Sequence, residues 1–132
     1  MSGEKNLGKL LTDMSPVLMT GEFIFCCFEK ARYGDHSQLQ PIASFAESEG
    51  LTLVISKSKA DEHNIEYASV FSCITLKVHS SLDAVGLTAA FSARLTDHGI
   101  SANVIAGYYH DHIFVHKDQA EAAMTALVEL TG

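Results

Sequence analysis

Residues 71–115 read FSCITLKVHSSLDAVGLTAAFSARLTDHGISANVIAGYYHDHIFV, and the fold follows from this stretch. From Ser69 to Val78 the side chains alternate. Val70, Ile74, Leu76 and Val78 fall on one side, with Ser72 the exception, and Phe71, Cys73, Thr75 and Lys77 fall on the other, the period of a strand. Leu87, Phe91 and Leu95 recur at i, i+4 and i+8 and make one face of a helix. Ser81 or Asp83 is placed to cap that helix, because each carries a short side-chain oxygen that accepts an orphan amide hydrogen. Gly99 suits the left-handed position that ends it. Ser101–Ala106 and Asp111–Val115 then read as two short strands with a bend at Gly107.

Outward from this stretch, Leu7–Met14 reads as a short helix, ended by Pro16. Val17–Met19 and Glu22–Phe28 read as strands joined at Thr20-Gly21-Glu22, a hairpin signal. The second is apolar on both faces, which predicts cover on both sides. The pattern Leu39, Ile42, Ala43, Ala46 predicts a helix over Leu39–Glu49, with Pro41 in its first turn and Gly50 at its end. Leu51–Ile55 follows as a strand and Ser56–Ile65 as a short surface helix. A final helix starts near Asp118, where Asp118 and Glu121 have capping-box spacing. Ala120, Ala123, Met124, Leu127 and Val128 form its apolar stripe. A shift of 49 positions lays Phe25 on Ile74, Ile42 on Phe91, Ala46 on Leu95 and Gly50 on Gly99, the mark of a duplicated strand-helix-strand unit.

Asp83, Val85, Gly86 and Leu87 at the strand-to-helix turn, Leu95, Gly99 and Ile100 at the helix end, and Ile105–Val115 with its Asp111 carry a resemblance. On these residues the chain resembles the ACT domain, a small ligand-binding regulatory module of amino-acid metabolism. It is similar to the tandem-ACT group that includes cytosolic arginine sensors and the C-terminal part of aspartate kinases. Two positions depart from the pattern. Val85 stands where proline is common, and Ser101 where asparagine is common, with Asn103 two places on. The resemblance implies an α+β class with two ferredoxin-like (βαββαβ) lobes side by side, an N-terminal lobe over residues 1–68 and a C-terminal lobe over 69–132. Each sheet is antiparallel with helices on one face. The C-terminal half shows only three strands, so its fourth is expected from the N-terminal hairpin near Val17–Met19, which makes the lobes interdependent.

Composition narrows the function. The chain has 132 residues, is 47% hydrophobic and 19% charged, and carries a net charge of -7. That is enough apolar material for a core, and the acidic balance argues against nucleic acid or an anionic membrane as partner. No run of ~18 apolar residues is present to span a membrane, and the start lacks a signal-peptide pattern. Cys26, Cys27 and Cys73 are odd in number and lie in apolar runs, as reduced cysteines of a cytoplasmic protein do.

No phosphate loop, Cys-x-x-Cys or nucleophile elbow occurs, so no enzyme activity and no cofactor are expected. The expected ligand-binding residues are Ser81, Asp83, Val85, Gly86 and Leu87 at the turn, Asn103 and Val104 on the next strand, and Asp111. Amides at the helix start can bind a carboxylate, and Asp111 can hold an ammonium or guanidinium. The plain alternatives are a helix cap for Asp83, a turn residue for Asp111 and tight packing for Gly86. His110, His112 and His116 fall at even spacing on one strand face, and such a pair can hold zinc or copper; His79 is the possible third ligand. The leading expectation is a non-catalytic sensor of an amino acid or similar metabolite. It binds at an interface between ACT lobes, is a homodimer by resemblance, and has a regulated enzyme as a possible partner. The alternatives are an interaction module without ligand and a histidine-based metal protein.

Overall fold

A computed structural model describes residues 3–131. It divides into two compact units, one formed by residues 21–71 and the other by the described residues up to Thr20 together with Ser72 onward. Both are α+β.

The larger unit holds α1 (Leu7–Thr12), β1 (Pro16–Leu18), β5 (Phe71–Leu76, from Ser72), α3 (Leu87–Asp97), β6 (Asn103–Ala106), β7 (Asp111–His116) and α4 (Ala120–Thr131). The smaller holds β2 (Phe23–Phe28), β3 (Ala43–Glu47), β4 (Gly50–Ser56) and α2 (Lys57–Glu62). In the larger unit the strands run β1-β5-β7-β6. The fourth strand does come from the N-terminal segment: β1 lies antiparallel to β5, with Pro16 opposite Leu76 and Leu18 opposite Ile74. One face of this sheet is covered by helices. Leu10 and Met14, Leu87, Phe91 and Leu95 of α3, and Ala123, Ala126 and Leu127 of α4 bury Ile74, Leu76, Ile113 and Val115. The i, i+4, i+8 stripe of α3 is buried as its spacing requires. Val128 is a correction: it is 52% exposed, because it sits ~100° around the helix from Leu127. Ala126 lies in the core instead.

The smaller unit is an antiparallel sheet in the order β3-β4-β2. Its core is Ile24, Leu39, Leu51, Leu53, Ile55 and Ala60. Ser56 caps α2 by accepting the Lys59 amide hydrogen. Three expectations fail here. Val17–Met19 and Glu22–Phe28 do not form a hairpin, since β1 pairs with β5 and β2 pairs with β4. Cover on both faces of β2 fails at Cys27, which is exposed beside half-buried Phe23 and Phe25, whereas Ile24, Cys26 and Phe28 face the core. The helix over Leu39–Glu49 is absent. A 3-10 turn at Ser37–Leu39 ends in Gln40, held left-handed before Pro41, and the chain then runs extended as β3. The residue before a proline disfavours helical geometry, and β4 supplies a full ladder from Ala43↔Val54 to Glu47↔Gly50. Pairing to a partner strand outweighs a stripe in which half the side chains are alanine.

Candidate functional site

The site is built where β5 leaves the sheet. The segment after Leu76 is tied to the start of the chain: Lys77 donates its amide hydrogen to the Ser15 carbonyl, Glu4 to His79, and Ser81 to Glu4. Ser81 then makes a local turn. Its hydroxyl accepts the Asp83 amide hydrogen at 3.1 Å and its carbonyl accepts that of Ala84 at 3.0 Å. Neither Ser81 nor Asp83 caps the helix, because this turn uses the Ser81 oxygens first. The cap position is Gly86, and α3 starts at Leu87. Gly86 sits at φ 104°, where a side chain is strained, and a Cβ there would also meet the end of the Leu7 side chain of α1 at 3.0 Å.

Across from the helix start, β6 and β7 form a hairpin closed by Tyr108 and Tyr109, with Gly107 donating to the His110 carbonyl at 2.9 Å and Ala106 opposite Asp111. Between the helix start and this hairpin lies a cleft of ≈140 Å³ lined by Ser80, Ser81, Gly86, Leu87, Gly107 and Asp111, among others. Asp111 is 9% exposed. Burial raises its pKa, opposed in part by His112 and His110. Ser81, Gly86, Leu87 and Asp111 therefore come together. Asp83 is exposed and Val85 is 82% exposed. Asn103 lies at the far end of β6, where its side-chain amide donates to the Phe114 carbonyl at 3.4 Å, and Val104 packs against the core. Sequence reasoning missed Ala106 and Gly107. A two-residue turn at Tyr108-Tyr109 would have set Ala106 opposite Asp111.

The histidines diverge. His112 Nδ1 lies 2.9 Å from the Thr75 hydroxyl, and burial lowers its pKa. His110 is half-buried and His116 ends the strand exposed. The His79 ring lies 4.9 Å from that of Tyr109, which itself meets Tyr108 edge-on at 5.2 Å. Among the described residues no group of three or more His, Cys, Asp or Glu could hold a metal ion. Cys26, Cys27 and Cys73 are free thiols, and burial raises the pKa of Cys26 and Cys73. Among the described residues no helix is long and apolar enough to cross a membrane.

A ferredoxin-like sheet with a helix start and a buried acid facing each other across a cleft defines a small α+β module with a ligand-sized recess. The chain belongs to the ACT domain family: one ACT model matches residues 2–72 and another residues 69–129. No curated protein matches. Among solved structures, it is 57% identical to a Vibrio cholerae protein described as of unknown function and a possible transport protein, with 90% of this chain and 91% of that one covered at a TM-score of 0.83. It shares its fold with the regulatory subunit of aspartate kinase from Thermus thermophilus, at 10% identity over 92% and 99% of the chains and a TM-score of 0.66. It also shares it with the aspartate kinase of Clostridium acetobutylicum, at 12% identity over 98% of this chain but 36% of that one, and a TM-score of 0.68.

Proposed function

We propose that the protein is a non-catalytic cytoplasmic regulatory module that senses an amino acid or a similar small zwitterion. The observation that carries the reading is Asp111, a carboxylate at 9% exposure in a cleft that faces the start of an 11-residue helix. A buried carboxylate without a cation is costly, and a ligand ammonium would offset that cost. The first amides of α3 have no partners within the helix and carry the positive end of its dipole, which suits a ligand carboxylate. The cleft holds about five waters' worth of space, at ~30 Å³ each. That matches the head group of an amino acid, with its side chain directed outward past the hairpin tip. Ligand binding would then favour one arrangement of the protein, or of a homodimer, over another and so set the activity of a partner enzyme. The ACT membership supports the regulatory part of this reading.

The test is a thermal-shift and calorimetric screen of the purified protein against the standard amino acids, repeated with Asp111→Asn. A ligand at 100 times its dissociation constant adds about 2.7 kcal/mol, which is several degrees for a domain of this size. Asp111→Asn should weaken binding by about tenfold or more, the loss of one charge-assisted hydrogen bond, while the apo protein stays folded. No response to any amino acid refutes the sensor reading and favours an interaction module. A response that Asp111→Asn leaves unchanged refutes the site.

A further inference from the structure

We propose that His112 is a proton-operated brace. Uncharged, its ring holds the tip of the β6–β7 hairpin against β5; protonated, it releases the tip and with it the Gly107 wall of the cleft. This is a regulation of the Asp111 cleft, and its value to a ligand rests on the reading given above, whereas the brace itself belongs to the ligand-free protein. Side chains alternate along β7, so Asp111 and His112 face opposite ways. Asp111 lines the cleft together with Gly107. On the other face, His112 Nδ1 lies 2.9 Å from the hydroxyl of Thr75, a β5 residue only 3% exposed. The far edge of the ring meets the hairpin: a Cβ placed on Gly107 would lie 3.3 Å from His112 Nε2 and 3.6 Å from Cδ2. Gly107 has no left-handed φ to explain it. The missing side chain makes room for this ring and for the His110 carbonyl oxygen, 2.9 Å from the same Cβ position. The imidazole therefore spans from β5 to the segment that walls the cleft.

A positive charge on this ring is poorly provided for. The ring is half-buried. The titratable groups facing it are Cys73 and Lys77 on β5, and His110 and Asp111 on its own hairpin; β6, which sets Ile105 opposite His112, carries none. Lys77 and His110 repel a proton there, and Asp111, the acid among them, turns to the cleft. Burial first, then His110 and Lys77, hold the His112 pKa below the ordinary histidine value against the pull of Asp111. Protonation also makes both ring nitrogens donors, so the Thr75 hydroxyl must accept. The closed hairpin thus binds this proton less tightly than an open one does. The brace is at full strength above the ordinary value of ~6.5 and is lost as pH falls through the lower folded value. Beyond the Ala106–Asp111 pair the tip is held by the Gly107 amide on the His110 carbonyl, a short segment for such a proton to release.

The experiment is an NMR titration of the full chain without ligand, from about pH 8 to about pH 5, across the ordinary histidine value of ~6.5. The His112 ring and the Gly107 amide should titrate with one shared midpoint below ~6.5. The heteronuclear NOE of residues 107–110 should fall through the same midpoint as the tip gains fast motion. Lys77 is exposed, so Lys77→Met keeps the fold, and it should move both midpoints upward together. His112→Gln cannot take the proton and should leave Gly107 and the tip unresponsive over this range, while His110→Asn should keep the response. A tip that stays ordered while the ring titrates overturns the brace. A Gly107 response that persists in His112→Gln, or is lost in His110→Asn, assigns it to another group and overturns the brace as well. Shared midpoints in a protein that binds no amino acid support the brace and sink only the ligand reading of the cleft.

Discussion

Gly50 and Gly99 match under the 49-residue repeat, and both read as the end of a helix. Only Gly99 is one, following the C-cap of α3 at φ 71°, where an added Cβ would meet nothing within 4 Å. Gly50 opens β4 at φ 151°, and a Cβ there would lie 2.6 Å from the Phe28 carbonyl oxygen and 3.0 Å from Cys27 Sγ. The Phe28 carbonyl cannot retreat cheaply, since Phe28 is in register with Leu51 in the β2–β4 ladder. Gly99→Ala should cost ~1 kcal/mol: the left-handed penalty of about 1–2 kcal/mol, partly offset by a less flexible unfolded chain. Gly50→Ala adds an overpacking cost of about 1–3 kcal/mol to a similar backbone penalty, for a total near ~3 kcal/mol. With a urea slope of about 2 kcal/mol/M, the midpoint should fall by ~0.5 M for Gly99→Ala and ~1.5 M for Gly50→Ala. Circular dichroism measures both. Native-state hydrogen exchange should place the Gly50→Ala acceleration in residues 43–56 and the Gly99→Ala acceleration near the end of α3. Equal losses for the two variants would refute the hairpin geometry at Gly50.

Two further outcomes are expected. Phe91 is fully buried in the larger unit, so Phe91→Ala should cost about 3–5 kcal/mol. A loss under 1 kcal/mol in urea melts would show that α3 does not pack through this ring. Burial raises the pKa of Asp111, so the folded state holds its proton more tightly than the unfolded state does. Stability should therefore fall as pH rises from the unfolded value of ~3.9 through the folded one. Asp111→Asn should match the wild type at low pH, exceed it increasingly through that window and by a constant margin above it, in melts without ligand; a variant less stable than wild type at neutral pH would refute the assignment.

The larger unit was legible because its signals are local and heavy. Three large side chains on α3 and the alternation of β5 each specify one element with little help from elsewhere. The smaller unit's segment from Leu39 to Glu49 carries the same spacing in weaker currency. Its stripe has only Leu39 and Ile42 as large members, beside Ala43 and Ala46. Little apolar area is gained by presenting such a stripe as a helix, and helix nucleation is costly. The ladder to β4 therefore decides the outcome, and it is a contact between segments that periodicity does not read.

The same division runs through the cleft. Asp111 could be found from sequence because an acid inside an apolar strand is rare and conspicuous. The helix start could not, because Ser81 and Asp83 carry the side chains that suit a cap, whereas the cap is Gly86, and the choice depends on Glu4. Its backbone carbonyl holds the Ser81 amide and its own amide holds the His79 carbonyl, which fixes the segment in an extended path and delays the helix to Leu87. That delay leaves Asp83 and Val85 in solvent and turns Gly86 and Leu87 toward the acid. A pairing from the far end of the chain thus decides which residues share the cleft with Asp111, and no local pattern records it.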